Sequence, residues 1–281
     1  MVIARNISVF LFLVGCFFQI KSFGSSDFTH SLNHYSGNEI TKVFICGERC
    51  SGTNFTASLI HKNFPNLTET GEYGHKHFLW WFEISPQEEL IQSMNYSTKQ
   101  VHLENSDDCL FIVVVRDPYD WLRSFYLSPY HVHKKIIGKS FLYFLTHKWE
   151  LSDESDEITA GTFRADNFNF YKGRPFKNVL ELRDYKMRNY MHMSSLVKNY
   201  LLVRYEDIAK DPEGFIKFIS TSYALKNQSS FIPITSYKGD GEVKYQPKQH
   251  FKPSKEALKY INQKMNWKVE EKLGYSLSSS I

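Results

Sequence analysis

The sequence predicts a three-layer α/β/α domain on a mainly parallel sheet, and three observations carry that expectation. KVFIC (42–46), LFIVVV (110–115) and NYLLVRY (199–205) are short, unbroken apolar runs. Such runs are the mark of strands buried on both faces, because half-exposed strands alternate apolar and polar residues. Helix-like patterns stand between and after them, at Thr53–Phe64, Trp121–Leu127, Ser140–Trp149, Leu180–Ser195 and Pro212–Tyr223. Buried strands alternating with helices give a sheet covered on both sides. With 281 residues, 42% of them apolar, the chain is long enough for one well-buried core.

Residues 1–24 read as a targeting leader, in which Arg5 precedes ISVFLFLVGCFFQI, a 14-residue apolar run. That length is short for a membrane span and right for the apolar part of a signal peptide. Ser22-Phe23-Gly24 offers a small-x-small cleavage site. The leader is either removed or kept as a short anchor, which is the one membrane attachment expected. Residues 25–40 read as a polar stem and residues 41–281 as the domain. Sequons at Asn66, Asn95 and Asn227 agree with passage through the secretory pathway. A further sequon at Asn54 lies in a loop where a glycan would block any ligand, so it is expected to stay unmodified. Cys16 belongs to the leader, and Cys46 and Cys109, on or beside strand-like runs, read as buried thiols. A net charge of +4 suits an anionic ligand but lacks the basic clustering of a nucleic-acid binder, and no nucleic-acid partner is expected.

The first strand runs into Gly47-Glu48-Arg49-Cys50-Ser51-Gly52-Thr53-Asn54 and then a helix. Glycines that turn the chain back, followed by a helix N-terminus, aim several backbone N–H groups at one anion. Ser51 and Thr53 add hydroxyls and Arg49 adds charge; alternatively, Thr53 only caps a helix after a tight turn. ATP-binding loops of the form G-x-x-x-x-G-K-[ST] carry a lysine where this chain has Thr53. The second apolar strand ends in RDPYDWLRSFY (116–126). Asp117 and Pro118 suit an N-cap and first helical position. Arg116 stands at the strand's carboxyl end, where open α/β sheets bind ligands, and Ser124 returns two helical turns later.

Together these segments resemble the sulfotransferase family that uses 3′-phosphoadenosine-5′-phosphosulfate (PAPS). The loop resembles the S-G-T-N form of the family's phosphosulfate loop. RDPYDWLRSFY is similar to its Arg-x₇-Ser element, and VRYEDIAKDPEGFIKFIS (203–220) and NWKVEEKLGY (266–275) are similar to later segments. The resemblance implies a P-loop-like sulfotransferase fold in which Arg49, Cys50, Ser51, Gly52, Thr53 and Asn54 hold the 5′-phosphosulfate. Arg116 and Ser124 would hold the 3′-phosphate. Many members place a cation in the loop where this chain has Cys50, so Arg49 is expected to take the electrostatic role; alternatively, it pairs with neighbouring Glu48 or another surface acid.

The same resemblance makes His77, in Lys76-His77-Phe78, the candidate base and lets Lys76 face the donor sulfonate. Read alone, His75 and His77 are equally ordinary polar residues at a strand end. His131/His133, Lys244/Lys248/Lys252 and Arg183/Lys186/Arg188 read as surface or as further ligands. Pro129–Lys177, with five acidic residues between Glu150 and Glu157, reads as a solvated excursion or as a lid. The expected activity is sulfuryl transfer from PAPS, without a metal, to a glycan, glycoprotein or small hydroxyl acceptor in the Golgi lumen or outside the cell. The alternatives are a PAPS-binding homologue without catalysis and a small-molecule kinase.

Overall fold

The computed structural model of the chain describes residues 28, 36–74, 76–77, 103–151, 168–169, 172–236, 244 and 250–278. The leader, most of the stem, Asn95, His75 and Lys248 lie outside the described residues. Strand β1 (Lys42–Cys46) leads through a loop to helix α1 (Thr53–Asn63) and the short strand β2 (Thr68–Glu69). Strand β3 (Cys109–Val115) leads to α2 (Pro118–Leu127) and α3 (Phe141–Thr146). A two-stranded pair, β4 (Phe168–Asn169) and β5 (Arg174–Pro175), precedes α4 (Val179–His192). Strand β6 (Asn199–Arg204) continues into α5 (Tyr205–Lys210) and α6 (Pro212–Ser222), and α7 (Lys255–Lys264) and α8 (Trp267–Lys272) close the chain.

The main sheet is parallel, in the order β2-β1-β3-β6. All seven residues of β3 are buried, as are the last four of β1 and the first five of β6. Alternate strand residues serve two cores. Val43, Ile45, Ile112 and Val203 pack with Leu59 and Ile60 of α1 and Phe215 and Ile219 of α6. Phe44, Phe111, Val113 and Leu202 pack on the other face with Met187 and Tyr190 of α4 and Val269 of α8. Helices on both faces make the three layers that continuous apolar strands require. Each fully buried Leu, Ile or Phe contributes roughly 1.5–3 kcal/mol of transfer free energy. Burial also pushes the thiols of Cys46 and Cys109 well above their ordinary pKa, and neither is in a disulfide.

Three sequence expectations change. The excursion is not merely solvated: Val132, Ile136, Phe144, Trp149, Leu151 and Phe176 are buried in a third core with Trp121 and Phe125 of α2. Helix α3 ends at Thr146 rather than running to Trp149. His147 turns extended, and the chain then places the Trp149 ring 5.6 Å from that of Phe125. Phe28, inside the expected stem, is buried against Phe215 and Phe218, with ring separations of 5.7 and 5.8 Å.

On α4, Arg183 and Lys186 point inward, and only Arg188 keeps the surface role, pairing with Asp184. Arg183 and Glu270 of α8 are each 1% exposed, and Nε and Nη2 of Arg183 donate to the two carboxylate oxygens at 2.6 and 2.8 Å. Breaking a buried pair strands a charge away from water. Arg183→Met is therefore expected to lose about 3–5 kcal/mol in urea unfolding, and Arg183→Met/Glu270→Leu to recover much of that loss.

Candidate active site

All strands of the main sheet run the same way, so β1, β3 and β6 release their chain at one edge. Chain order reverses between β1 and β3, because β2 lies on one side of β1 and β3 on the other. Such a switch point opens a crevice at the strands' carboxyl ends. A cavity of about 270 Å³ lies there, walled by the loop after β1, by Arg116 after β3 and by Tyr205 after β6.

The loop folds by satisfying its own backbone. Gly47 N–H donates to the Lys76 carbonyl at 2.9 Å, Arg49 N–H to the Glu48 carboxylate at 2.8 Å, and Ser51 N–H to the Glu48 carbonyl at 3.1 Å. Gly52, not Thr53, is the N-cap of α1, with φ of 101° and no side-chain cap bond, so the first helical turn opens on the cavity uncovered by a capping group. Thr53 and Asn54 of that turn line the cavity. Gly52 is needed twice over: its φ is left-handed, and a Cβ there would stand 2.2 Å from the Tyr205 ring. Cys50 is also left-handed, with φ of 63°, although it has a Cβ. Its Sγ lies 3.8 and 3.6 Å from the Ser124 and Ser128 carbonyls, toward the end of α2.

Most of the residues singled out from sequence meet at this cavity. Arg116 donates from Nη1 to the Cys50 carbonyl at 3.1 Å, and its guanidinium lies 5.0 Å from the Tyr205 ring centre. Its Nε is buried and makes no hydrogen bond among the described residues, leaving a donor for a ligand. Ser124 and His77 line the same space. His77 Nδ1 lies 2.7 Å from the Gly47 carbonyl. A carbonyl only accepts, so Nδ1 carries the proton and a neutral ring keeps its lone pair on Nε2. Lys76 reaches over the first turn of α1 and donates to Asn54 Oδ1 at 2.6 Å. That contact engages the Asn54 side chain; Asn54, Asn66 and Asn227 are all exposed.

Two residues stand differently from expectation. Ser51 is buried and turned toward Gly47, where a Cβ would be 2.6 Å from its Oγ, and it does not line the cavity. Arg49 contributes to the wall, but its side chain is 1% exposed, and Nη1 donates to Glu48 at 2.6 Å, so its charge is already matched.

Lys186, read from sequence as surface or a further ligand, is neither: its Nζ donates to the His77 carbonyl at 2.7 Å and lies 3.9 Å from the second Glu48 oxygen, tying the His77 segment to the loop from below. Sequence reasoning missed other members. His250 meets Ser124, with Nε2 and Oγ 2.9 Å apart. It stands in the C-terminal segment whose lysines drew attention, and a histidine among them was the available signal. Glu206 accepts the Asp117 N–H at 2.9 Å and the Tyr275 hydroxyl at 3.0 Å. Burial raises the pKa of Glu206, with opposition from those hydrogen bonds. The Tyr-Glu-Asp and Leu-Gly-Tyr segments thus brace the loop that carries Arg116.

No protein-family model matches the chain, and no curated protein sequence matches it.

Gly52→Ala should drive the Tyr205 ring off Arg116 and cost about 1–3 kcal/mol in chemical unfolding, from strain and clash together. Gly71→Ala, where a Cβ meets nothing within 4 Å among the described residues, should stay within about 0.5 kcal/mol of the parent protein.

Proposed function

We propose that the chain is a PAPS-dependent sulfotransferase acting on a hydroxyl of a glycan or glycoprotein in the secretory pathway. One observation carries the reading: the glycine loop, the Arg116–Ser124 pair and the Lys76–His77 pair, matched to the family separately in sequence, line one cavity at the switch point. The donor set suits a polyanion. An uncapped helix N-terminus, Arg116 with its unused Nε, Lys76 and Ser124 face the space, and no acidic side chain lines it among the described residues.

When bound, PAPS supplies a sulfuryl group on a phosphate leaving group. The residues around it divide the remaining work. His77, held by the Gly47 carbonyl in the tautomer with a basic Nε2, takes the acceptor hydroxyl's proton. The amides of the first α1 turn, together with Lys76, stabilise the charge that develops on the leaving phosphate oxygen. Arg116 and Ser124 hold the 3′-phosphate and so fix the nucleotide's register.

A second reading, a nucleotide-binding homologue without catalysis, is favoured by Arg49. The residue expected to replace the usual loop cation is engaged by Glu48 instead, and the Cys50 thiol points toward α2.

Incubating the full chain with radiolabelled PAPS and a panel of glycans separates the readings, with binding and transfer measured independently. Transfer supports the enzyme, and binding without transfer supports the inactive homologue. If ATP binds and PAPS does not, both are wrong. His77→Ala is expected to lower transfer by about 10²–10⁴-fold while PAPS still binds.

A further inference from the structure

His250 has no part in the reaction outlined above, yet it occupies the hydroxyl assigned to the phosphate. Its side chain is 9% exposed, with Nε2 2.9 Å from Ser124 Oγ and Nδ1 3.3 Å from Asp120 Oδ1. Asp120 and Ser124 stand one helical turn apart on α2 and meet the ring together. Asp120 also pairs with Arg123, whose Nη1 donates to the carbonyl of Phe251 at 3.4 Å. The order Ser-His-Asp resembles a nucleophile relay. Ser124, however, lies inside a helix, where backbone bonding leaves no amide pair for an oxyanion, so acyl transfer has no support there.

The proton positions point elsewhere. A carboxylate only accepts, so Nδ1–H donates to Asp120 and the neutral ring presents the lone pair of Nε2 to Ser124. Ser124 has one hydroxyl proton and gives it to His250. While the ring is neutral, that hydroxyl has no proton to offer a phosphate. An imidazolium reverses the arrangement: Nε2–H donates to Ser124 Oγ, and the hydroxyl proton turns toward the cavity.

We propose that His250 is the proton-controlled third member of the Arg116–Ser124 anion subsite, so that nucleotide phosphate binds there together with a proton on His250. The proposal rests on reading this cavity as a nucleotide-phosphate site. The charged groups around the ring fit it. Burial is the largest influence and lowers the pKa below its ordinary value of 6.5; Asp120 acts in the opposite direction, and Arg116 and Arg123 add to the lowering. Lys252 follows two residues along the same segment. Without ligand the ring is therefore neutral at neutral pH. A phosphate beside Arg116 offsets the cations that oppose protonation, raises the pKa of His250 and gains Ser124 as a donor. Affinity then rises as pH falls from the bound-state pKa toward the ligand-free one, by at most about tenfold per pH unit for one proton.

The test titrates the full chain with 3′-phosphoadenosine 5′-phosphate at about pH 6 and about pH 8, in wild type and in His250→Gln. Glutamine keeps an amide donor within reach of Ser124 but does not titrate. The nucleotide's phosphates have their own second pKa of about 6, so the quantity read is the difference between the two proteins' pH slopes. A steeper gain toward low pH in wild type supports the proposal, and equal slopes overturn it. Failure of the nucleotide to bind wild type at either pH overturns the phosphate-site reading along with it. Titrating the His250 imidazole resonances with and without nucleotide needs no variant. A pKa raised on binding is expected, and an unchanged one overturns the proposal.

Discussion

Trp121 donates its indole N–H to the Arg49 carbonyl at 2.7 Å, and the Arg183 guanidinium lies 4.9 Å from its ring centre. Arg183 in turn donates from Nη2 to the Arg116 carbonyl at 2.8 Å and pairs with Glu270. This chain of contacts joins the loop after β1, the turn after β3, α4 and α8 through side chains that are all nearly inaccessible to water. A cation over an indole in a desolvated setting contributes about 2 kcal/mol or more. Its geometric role is larger than that figure, because both halves of the cavity wall are held in place by their carbonyls.

The floor of the loop solves an electrostatic problem. For the anion site proposed above, an acid at 0% exposure directly beneath the loop would repel the ligand. Glu48 is matched on one oxygen by Arg49 at 2.6 Å and approached on the other by Lys186 at 3.9 Å. Two cations thus stand around this one buried carboxylate among the described residues.

What was legible in the sequence follows from locality. Continuous apolar runs revealed β1, β3 and β6, because burial on both faces writes itself into consecutive residues. Asp117-Pro118 marked the start of α2, and the cap is real: Asp117 accepts from the N–H groups of Tyr119 and Asp120, both at 3.0 Å. Arg116 and Ser124 were found because one helix sets their relation. Two of the misses depend on partners distant in the chain. Arg183 reads as a surface residue until Glu270, 87 residues later, supplies its counter-charge. His250 is an ordinary polar residue until Ser124, 126 residues earlier, comes beside it. Strand β2 has only two residues and no periodicity to detect. Arg49 went the other way: its immediate neighbour Glu48 took the charge that was expected to face the ligand.

The hydrogen bond from Arg116 to the Cys50 carbonyl spans 66 residues of chain. Parallel strands cannot pair through a tight turn, and β1 meets β3 only after the whole intervening segment has been closed into a loop. Contacts of that separation make for slow folding, since chain entropy is lost before the pairing is rewarded. Neither half of the cavity has its final form beforehand. For the proposed nucleotide site, capacity to bind is in this architecture a late property of folding, tied to closure of the central sheet, and a chain in which β1 and β3 are unpaired lacks the joined wall.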